Sequence, residues 1–380
     1  MSTEKPNILF FFADDQRFNT IHALGNEEVH TPTLDRLVER GTTFTHAHIP
    51  GGQVGAICMP SRAMLHTSRT LFHLQEAGRT VPEDHTMMGE HLQRQGYRTF
   101  GTGKWHNGPA AFARSFSDGG EIFFGGMDDH WNVPAFDFDP SGQYDTTLPI
   151  IKDPWGSRDV VLRQGTHVTA GKHSSELFCE AAIDFIEGYD ADDPFFTYIS
   201  FMAPHDPRSM PEEFLNMYDP EKIILPENFA GAHPFDNGDL KIRDEVLEDF
   251  PRLPEKVRVH IAEYFAMITH LDAQMARVLK ALEDSGKADN TIVVFAGDNG
   301  LAVGQHGLFG KQNMYEHSVR VPMILCGPGI PENQKRDAYV YVLDLFPTLC
   351  DLTDIPVPDS VEGSSFVRAI RSDEPARESL

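Results

Sequence analysis

Four short apolar segments, each ending at polar side chains, constrain the fold of this chain more than any other feature of its sequence. The first, Asn7–Ala13, stops at Asp14 and Asp15. The other three are Tyr97–Gly103 before Lys104 and His106, Phe195–Ala203 before His205, and Thr291–Gly297 before Asp298 and Asn299. Short continuous apolar runs are typical of strands that are buried on both faces of a parallel sheet. The sequence therefore predicts an α/β fold around a buried sheet.

The polar ends of these segments predict one shared site. In open α/β sheets, ligands bind beyond the carboxyl ends of the strands, so we expect the four ends to meet in one crevice. An acidic pair after a single strand more often belongs to a loop or a helix cap, so the hypothesis depends on the four ends together. The candidate ligands offer hard oxygen atoms without a zinc-like cluster, which favours Ca²⁺ or Mg²⁺; they are Asp14, Asp15, Asp298 and Asn299.

A cysteine motif supplies a candidate nucleophile. Cys58 directly precedes a predicted helix start, with Pro60 in the first turn and Arg62 one turn later. Helical N–H groups and a guanidinium at such a position attract an anion; a buried structural cysteine beside a helix cap is the alternative. Further cationic or hydrogen-bonding groups could hold the anion and protonate a leaving alcohol; they are Lys104, His106, His205 and Lys311. These residue types predict transfer of a sulfuryl or phosphoryl group.

Together these motifs resemble the type I sulfatases of the alkaline-phosphatase superfamily. The similar positions are Cys58-x-Pro60-Ser61-Arg62 with Thr67 and Arg69, Asp14–Asp15, Gly103–His106, Asp298–Gly300 and Gly310–Lys311. The resemblance extends from about Pro6 to about Pro347. It implies a mixed, mostly parallel central sheet with helices on both faces, and the family's smaller C-terminal subdomain largely absent. We accordingly expect a catalytic domain over 1–360, with 361–380 as the remnant or start of that subdomain.

The resemblance also implies a mechanism. Cys58 would be oxidised after translation to Cα-formylglycine, whose hydrate is the nucleophile, by a formylglycine-generating or anaerobic sulfatase-maturating enzyme. Residue 58 would also bind calcium, together with Asp14, Asp15, Asp298 and Asn299. Arg62 would stabilise the hydrate, and the remaining groups would contact the sulfate or its leaving oxygen; these are Lys104, His106, His205 and Lys311. The substrate implied is a sulfate monoester, which we expect to be that of a carbohydrate.

Two alternatives remain open at this stage. One is a phosphate or phosphonate ester hydrolase on the same scaffold, although Asn299 stands where such relatives tend to have histidine, which favours sulfur. The other is a non-catalytic sugar-binding relative. The family signature usually has glycine where this chain has Ser68. Because Cys58, Pro60 and Arg62 are intact, we still expect conversion of the cysteine.

Composition narrows the range of partners. The net charge of −25 argues against nucleic acid and anionic membranes, and it favours a short, lightly sulfated substrate over a polysulfated one. The four cysteines have no C-x-x-C spacing, as in proteins of a reducing compartment. The chain shows neither a signal-peptide pattern nor a stretch of about 18 apolar residues, so we expect a cytoplasmic location.

Periodicity predicts the helices between these strands. Apolar residues at helical spacing predict helices over 32–41, capped by Thr31, over 174–188 and over 262–286, and a strand followed by a helix over 339–352. The stretches 107–139 and 204–254 are expected to be irregular and to lie over the functional edge of the sheet. Four residues are candidates for orienting a sugar, with local packing as the alternative; they are Trp105, Arg114, His130 and Trp131.

Overall fold

The computed structural model describes residues 5–151, 153, 155–156 and 158–379. Within them, one large sheet and two small two-stranded sheets account for the strands, which are β1 (Asn7–Ala13), β2 (Gly41–His48), β3 (Arg98–Lys104), β4 (Asp118–Phe123), β5 (Pro134–Ala135), β6 (Thr147–Ile151), β7 (Val160–Gln164), β8 (His167–Val168), β9 (Phe195–Ser200), β10 (Thr291–Gly297), β11 (Arg320–Val321), β12 (Met323–Cys326) and β13 (Gln334–Tyr341). The small sheets pair β5 with β8 and β6 with β7.

The large sheet is mixed and mostly parallel, as predicted. Its order is β13, β2, then β11 and β12, followed by β10, β1, β9, β3 and β4. The last five strands run parallel to one another. Strand β12 runs antiparallel to both β10 and β2. The four strands predicted from the apolar segments are therefore adjacent, and their carboxyl ends meet at one edge.

Helices cover both faces of this sheet, which also confirms the prediction. The α-helices of the described residues are α1 (Pro32–Arg40), α2 (Cys58–Thr67), α3 (Met88–Arg94), α4 (Pro109–Ser115), α5 (Ser174–Gly188), α6 (Glu212–Leu215), α7 (Pro254–Asp284), α8 (Glu316–Val319), α9 (Leu345–Leu352) and α10 (Val367–Arg371). Alternate residues of β1 enter two cores: Phe10 and Phe12 pack with α2, α3, α4, α9 and α10, whereas Leu9 and Phe11 pack with α1, α5 and α7.

Two predictions about element boundaries are wrong. Helix α7 begins at Pro254, eight residues before the predicted start at 262. Its first turns carry mostly exposed side chains, so no apolar stripe marked them. The stretch 107–139 is only partly irregular, because it contains α4, the edge strand β4 and the short strand β5. By contrast, 204–254 contains only α6 and a short 3₁₀ helix at Glu245–Leu247, as expected of an irregular excursion.

The predicted cap of α1 is also wrong. The Thr31 side chain makes no cap hydrogen bond. Instead, the carboxylate of Asp272 on α7 accepts hydrogen bonds from the backbone N–H groups of Thr33 and Leu34, at 2.9 and 2.8 Å. A carboxylate at a helix N-terminus satisfies free N–H groups and favours the positive end of the helix dipole. A tertiary contact therefore replaces the local cap.

The last described segment packs on the main body. Phe366 is buried against Phe44, with ring centroids 4.9 Å apart, and Arg377 donates to Asp344 from Nε at 2.9 Å. The predicted domain boundary at 360 stays a prediction. Among the described residues, we find no helix with the length and apolar character needed to cross a bilayer.

Candidate functional site

Two neighbouring strands deliver the acidic groups of the site. The register of β1 and β10 pairs Ala13 with Gly297, so the residues that follow them are neighbours. The backbone N–H of Asp298 donates to the carbonyl of Ala13 at 3.1 Å, and the N–H of Asp15 donates to Asp298 Oδ1 at 3.0 Å. Asp14, Asp15 and Asp298 are all buried. The sheet therefore places three carboxylates in one enclosed space.

The turn after β1 places the Asp15 carboxylate in an uncommon backbone conformation. Asp15 has a φ of 65°, which is unfavourable for a residue with a side chain unless neighbours fix it. The hydroxyl of Tyr264 donates to the Asp15 carbonyl at 2.6 Å, and the Asn299 amide donates to Asp15 Oδ1 at 2.6 Å. These contacts fix the turn and place the carboxylate beside Asn299.

Cys58 lies at the base of the site as the first residue of α2, not before the helix as predicted. Its Sγ is 3.2 Å from Asp14 Oδ1 and 3.1 Å from Lys311 Nζ. Burial, and next the charge of Asp14, raise the pKa of the Cys58 thiol well above its usual value. A thiol that stays protonated is a weak nucleophile. The unmodified cysteine is therefore poorly suited to attack an ester.

Arg62, one turn further along α2, fixes Asp298. Its Nε donates to Asp298 Oδ2 at 3.0 Å, Nη1 donates to Ser200 Oγ, and the guanidinium lies 5.1 Å from the Phe12 ring centroid. Burial alone would lower the pKa of Arg62, but Asp298 and Asp14 raise it above its usual range. The guanidinium is thus a permanent positive charge beneath the acidic groups.

Two buried lysines flank the cysteine. Lys104, the last residue of β3, pairs with Asp14. Lys311 Nζ donates to Asp15 Oδ1 at 2.6 Å. Burial would lower the pKa of Lys311, but Asp15 and then Cys58 raise it well above its usual value. Lys311 therefore presents a fixed positive charge beside residue 58.

The two predicted histidines are neutral hydrogen-bonding groups. His205 Nε2 is 3.6 Å from Asp15 Oδ2, and its Nδ1 contacts the Asp206 carbonyl at 2.8 Å. Burial and then the charge of Lys311 lower the pKa of His205 to about 3. Burial and then the charge of Lys104 lower the pKa of His106 to about 2. Near neutral pH, each imidazole can orient an anion without adding charge.

Burial disfavours the ionised form of two of the three carboxylates. Although burial opposes it, Lys104 holds the pKa of Asp14 well below its usual value. Burial raises the pKa of Asp298 to about 7, and the charge of Asp14 adds to this effect. Burial likewise raises the pKa of Asp15 to about 6. A cation bound among these oxygens would relieve both effects.

The donor set fits a hard divalent metal ion. Ligand atoms of Asp14, Asp15, Cys58 and His205 all lie within 4.8 Å of one another. The buried Oδ1 of Asn299 has no hydrogen-bond partner among the described residues, and it is thus a further free oxygen donor. Oxygen-rich sites of this kind suit Ca²⁺ or Mg²⁺. The structure brings together all ten predicted site residues, and His205 approaches the acidic cluster more closely than the sequence suggested.

A cleft of about 270 Å³ opens above these residues. It is lined by Cys58, His106, His205 and Lys311, with Gly55, Ala56, Gly126, Met127, Ile242, Arg243, Asp244 and Gln312. Sequence reasoning missed Arg243, Asp244 and Gln312. The first two belong to the 204–254 excursion, which was predicted to cover the functional edge, but no periodicity or motif there singled out individual residues.

Three of the four residues proposed to orient a sugar are structural instead. Trp105 is 2% exposed and its Nε1 donates to the Gly108 carbonyl at 2.9 Å. Arg114 donates to backbone carbonyls, which belong to Val81, Pro82 and His85. His130 is fully buried and contacts the His205 carbonyl at 3.0 Å. The fourth, Trp131, is only half-buried; its ring packs against His173, with centroids 5.2 Å apart, and it does not line the cleft.

The carboxyl edge of this alkaline-phosphatase-like sheet holds an acidic cluster, fixed cations and a buried nucleophile position. This combination defines a hydrolase of oxyanion esters. The sulfatase family profile matches residues 6–355. The chain belongs to the sulfatase family, and it is an enzyme of the sulfuric ester hydrolase class.

Individual relatives agree with this assignment. The chain is 29% identical over 385 residues to an ulvan-active sulfatase of Formosa agariphila, covering 98% of this chain and 66% of that protein. It is 26% identical over 427 residues to an N-acetylglucosamine-6-O-sulfatase of Bacteroides thetaiotaomicron, covering 96% and 70%. Among solved structures, the yidJ protein of Bacteroides fragilis superposes with a TM-score of 0.78 at 23% identity, covering 99% and 80%, which supports the fold.

Proposed function

We propose that this protein hydrolyses a sulfate monoester of a carbohydrate, using formylglycine formed from Cys58 and a bound calcium ion. The observation that carries the proposal is the position of Cys58 at the base of the cleft, 3.1 Å from Lys311 Nζ and 3.2 Å from Asp14 Oδ1. A thiol with a raised pKa at this point is a weak nucleophile, whereas an aldehyde hydrate presents two hydroxyl groups in the same place.

The proposed reaction has two steps. One hydroxyl of the hydrate attacks sulfur, the S–O bond to the sugar breaks, and the alcohol leaves with a proton. The second hydroxyl of the hydrate then loses its proton, the aldehyde re-forms, and the C–O bond to sulfate breaks; addition of water to the aldehyde restores the hydrate and completes the hydrolysis. Lys104 and Lys311 face the sulfate oxygens, whose charge they stabilise, and neutral His106 and His205 orient the ester by hydrogen bonds. Arg62 holds Asp298 in place throughout.

Four side chains would hold the metal ion beside residue 58, namely Asp14, Asp15, Asp298 and Asn299. The close approach of the Asp14 and Asp15 oxygens to residue 58 and the unpartnered Oδ1 of Asn299 support this assignment. When bound, Ca²⁺ would neutralise a sulfate oxygen and favour the ionised form of the attacking hydroxyl.

The carbohydrate substrate is supported by the relatives. An ulvan-active sulfatase and an N-acetylglucosamine-6-O-sulfatase both align over almost the whole chain. The net charge of −25 favours a substrate that carries few other anionic groups. We therefore propose a short, lightly sulfated saccharide.

The first test is mass spectrometry of the tryptic peptide 41–62 from protein that is co-expressed with a formylglycine-generating enzyme. Conversion of Cys58 to formylglycine lowers the peptide mass by about 18 Da. The peptide that contains Cys179, a buried cysteine on α5 outside the motif, is the internal control and keeps its mass. An unchanged thiol at Cys58 under these conditions contradicts the proposal.

A second test compares matched esters. We expect converted protein to hydrolyse 4-nitrophenyl sulfate faster than 4-nitrophenyl phosphate in the presence of Ca²⁺, and Asp298→Ala to abolish both activities while the protein stays folded. A preference for the phosphate ester would instead indicate phosphoryl transfer on this scaffold.

A further inference from the structure

Two adjacent acidic residues from the 204–254 excursion contact the segment that carries Lys311. Glu245 is buried, with its carboxylate directed to the backbone of this segment. Its Oε2 accepts a hydrogen bond from the Phe309 N–H at 2.9 Å, and its Oε1 accepts one from the Gly310 N–H at 2.7 Å. One carboxylate therefore holds the two backbone groups that immediately precede the lysine.

A buried arginine fixes this carboxylate. Arg252 Nη2 donates to Glu245 Oε2 at 2.6 Å, and its Nε donates to the Gly307 carbonyl at 3.2 Å. The guanidinium also lies 4.8 Å from the centroid of the Phe309 ring. Because Arg252 and Glu245 are both buried, loss of either partner would leave an uncompensated charge. Through this pair, the excursion contacts the Lys311 segment by hydrogen bonds to its backbone and by packing of Arg252 against the Phe309 ring.

The neighbouring residue Asp244 completes the attachment on the other side of the lysine. Gln312 Nε2 donates to Asp244 Oδ2 at 2.6 Å, and Gln312 Oε1 accepts a hydrogen bond from the Lys311 N–H at 3.0 Å. Asp244 itself lines the cleft. Side chains therefore accept hydrogen bonds from three consecutive backbone N–H groups: Glu245 from Phe309 and Gly310, and Gln312 from Lys311. Gln312 is in turn hydrogen-bonded to Asp244, the neighbour of Glu245.

The glycine at position 310 shows how closely this carboxylate approaches. A Cβ atom at Gly310 would lie 2.8 Å from Glu245 Oε1 and 2.7 Å from Gln312 Oε1, closer than normal contacts allow. A side chain at position 310 would therefore displace the Glu245 or Gln312 oxygen, which gives the glycine next to Lys311 a physical reason within this chain.

We propose that Glu245 is a positioning residue for Lys311, acting through the backbone of Phe309 and Gly310 and held in place by Arg252. The Lys311 ammonium group stays within hydrogen-bond distance of Cys58 and Asp15 because Glu245 fixes the backbone of the two preceding residues. The effect of Glu245 on catalysis rests on the proposed function. The effect of Glu245 on the position of Lys311 does not.

The first experiment is a crystal structure of Glu245→Gln. The variant keeps the shape of the side chain but removes the charge that Arg252 pairs with, and its amide has only one acceptor oxygen for the two N–H groups. We expect Lys311 Nζ to move out of hydrogen-bond distance of Asp15 Oδ1. If the variant does not fold, Arg252→Lys is examined in the same way; it keeps the charge but has one nitrogen in place of the separate Nη2 and Nε donors that reach Glu245 and Gly307.

The second experiment measures kcat/KM on a sulfate ester in a double-mutant cycle. Because a misplaced catalytic group of this kind costs about 10- to 100-fold, we expect Glu245→Gln to lose that much relative to wild type. In the Lys311→Ala background, the same change should lower kcat/KM by less than about twofold, because the group it positions is already absent. Glu213→Gln is the matched control: Glu213 is an exposed glutamate on α6 in the same excursion, away from the Glu245 and Arg252 contacts, and the variant should keep wild-type activity.

Three results decide the inference. It is overturned if Lys311 keeps its contact with Asp15 in the variant crystal structure, or if Glu245→Gln lowers activity equally in the wild-type and Lys311→Ala backgrounds. A displaced Lys311 together with a wild-type enzyme that is inactive on sulfate esters supports the positioning role and contradicts the proposed function.

Discussion

Charge balance around single residues explains most of the behaviour of the site. Asp14, Asp15 and Asp298 are buried together, and two of them have pKa values raised towards neutrality. Three buried cations oppose them, namely Arg62, Lys104 and Lys311. The site is therefore an enclosed set of alternating charges in which each side chain depends on its neighbours.

We expect metal removal to destabilise the protein. A cation that binds only the folded state stabilises it by about 2.7 kcal/mol when the cation concentration is 100 times the dissociation constant. Chelation removes this stabilisation, so Tm should fall by several degrees. Differential scanning fluorimetry with EGTA, followed by excess Ca²⁺, measures this shift. Asn299→Ala should reduce it, because that variant removes one oxygen donor. The same Tm with and without chelator would count against a metal at this site.

A second prediction concerns the buried carboxylate that caps α1. Burial raises the pKa of Asp272 to about 6, whereas an unfolded chain gives about 3.9. The folded state therefore binds the proton more tightly, and the stabilisation present below about pH 4 is lost as the pH rises to about 6. At about 1.4 kcal/mol per pKa unit, this loss is roughly 3 kcal/mol.

Urea unfolding from pH 4 to pH 7 tests this. The stability of wild type relative to Asp272→Asn should fall by roughly 3 kcal/mol over that range. Asp284→Asn, at a side chain that is 63% exposed, is the control and should leave the pH dependence unchanged. An equal pH dependence in wild type and Asp272→Asn would show that Asp272 titrates normally.

Individual residues could be predicted from the sequence where chemistry follows directly after a strand. Asp14, Lys104 and Asp298 were found in this way, because an apolar run fixes where the polar side chain begins. Residues such as Glu245 and Asp272 could not be predicted, because their partners lie far away in the sequence and no local pattern connects them.

At the scale of single elements, helix α2 connects the cysteine motif to the C-terminal part of the described chain. The residue that caps its C-terminus is Ser68, whose φ is 52°. Ser68 Oγ donates to the Leu343 carbonyl at 2.6 Å, and its own carbonyl accepts from the N–H groups of Glu362 and Gly363. The residue that departs from the family signature therefore has a structural role at the helix end.

We expect Ser68→Gly to change the free energy of unfolding by less than about 1 kcal/mol. Glycine relieves the cost of a positive φ, about 1 kcal/mol, but loses a hydrogen bond of similar value. Ser68→Ala loses the same hydrogen bond but keeps the positive φ, so it should cost about 1 kcal/mol more than Ser68→Gly. Chemical denaturation of both variants checks this. Equal effects of the two substitutions would refute the assignment.

Elements were predictable in proportion to how regular their burial is. Strands β1 and β10 are buried at every position, so their apolar runs marked their bounds. The start of α7 was missed because only Val257 is buried in its first two turns. Strand β4 was missed because its glycines and aspartate do not alternate like a typical strand; its place at the sheet edge follows only from pairing with β3.

At the scale of the whole molecule, the local field of the site opposes the overall charge. The lysines and arginine attract an anion at short range, while the net charge of −25 repels it during approach. Binding and approach are thus governed by charges of opposite sign.

We therefore expect added salt to increase activity on anionic substrates. Raising NaCl from about 20 to about 200 mM shortens the Debye length and screens the repulsion, so kcat/KM should rise by about two- to threefold for a trisulfated saccharide and by less for a monosulfated one. Initial rates at low substrate concentration measure this. A fall in kcat/KM over the same range would show that attraction at the cleft controls approach.

The place of β1 in the sheet has a consequence for synthesis. Its partners, β9 and β10, begin at Phe195 and Thr291, so the seven-residue strand is made long before either exists. At ribosomal rates of about 5 to 20 residues per second, β1 waits roughly 10 to 40 s for its first neighbour. An unpaired run of this composition favours self-association. We expect the expression yield to depend on chaperones that bind nascent chains. Slower translation at low temperature should raise the yield when such a chaperone is present, and should not raise it when the chaperone is absent.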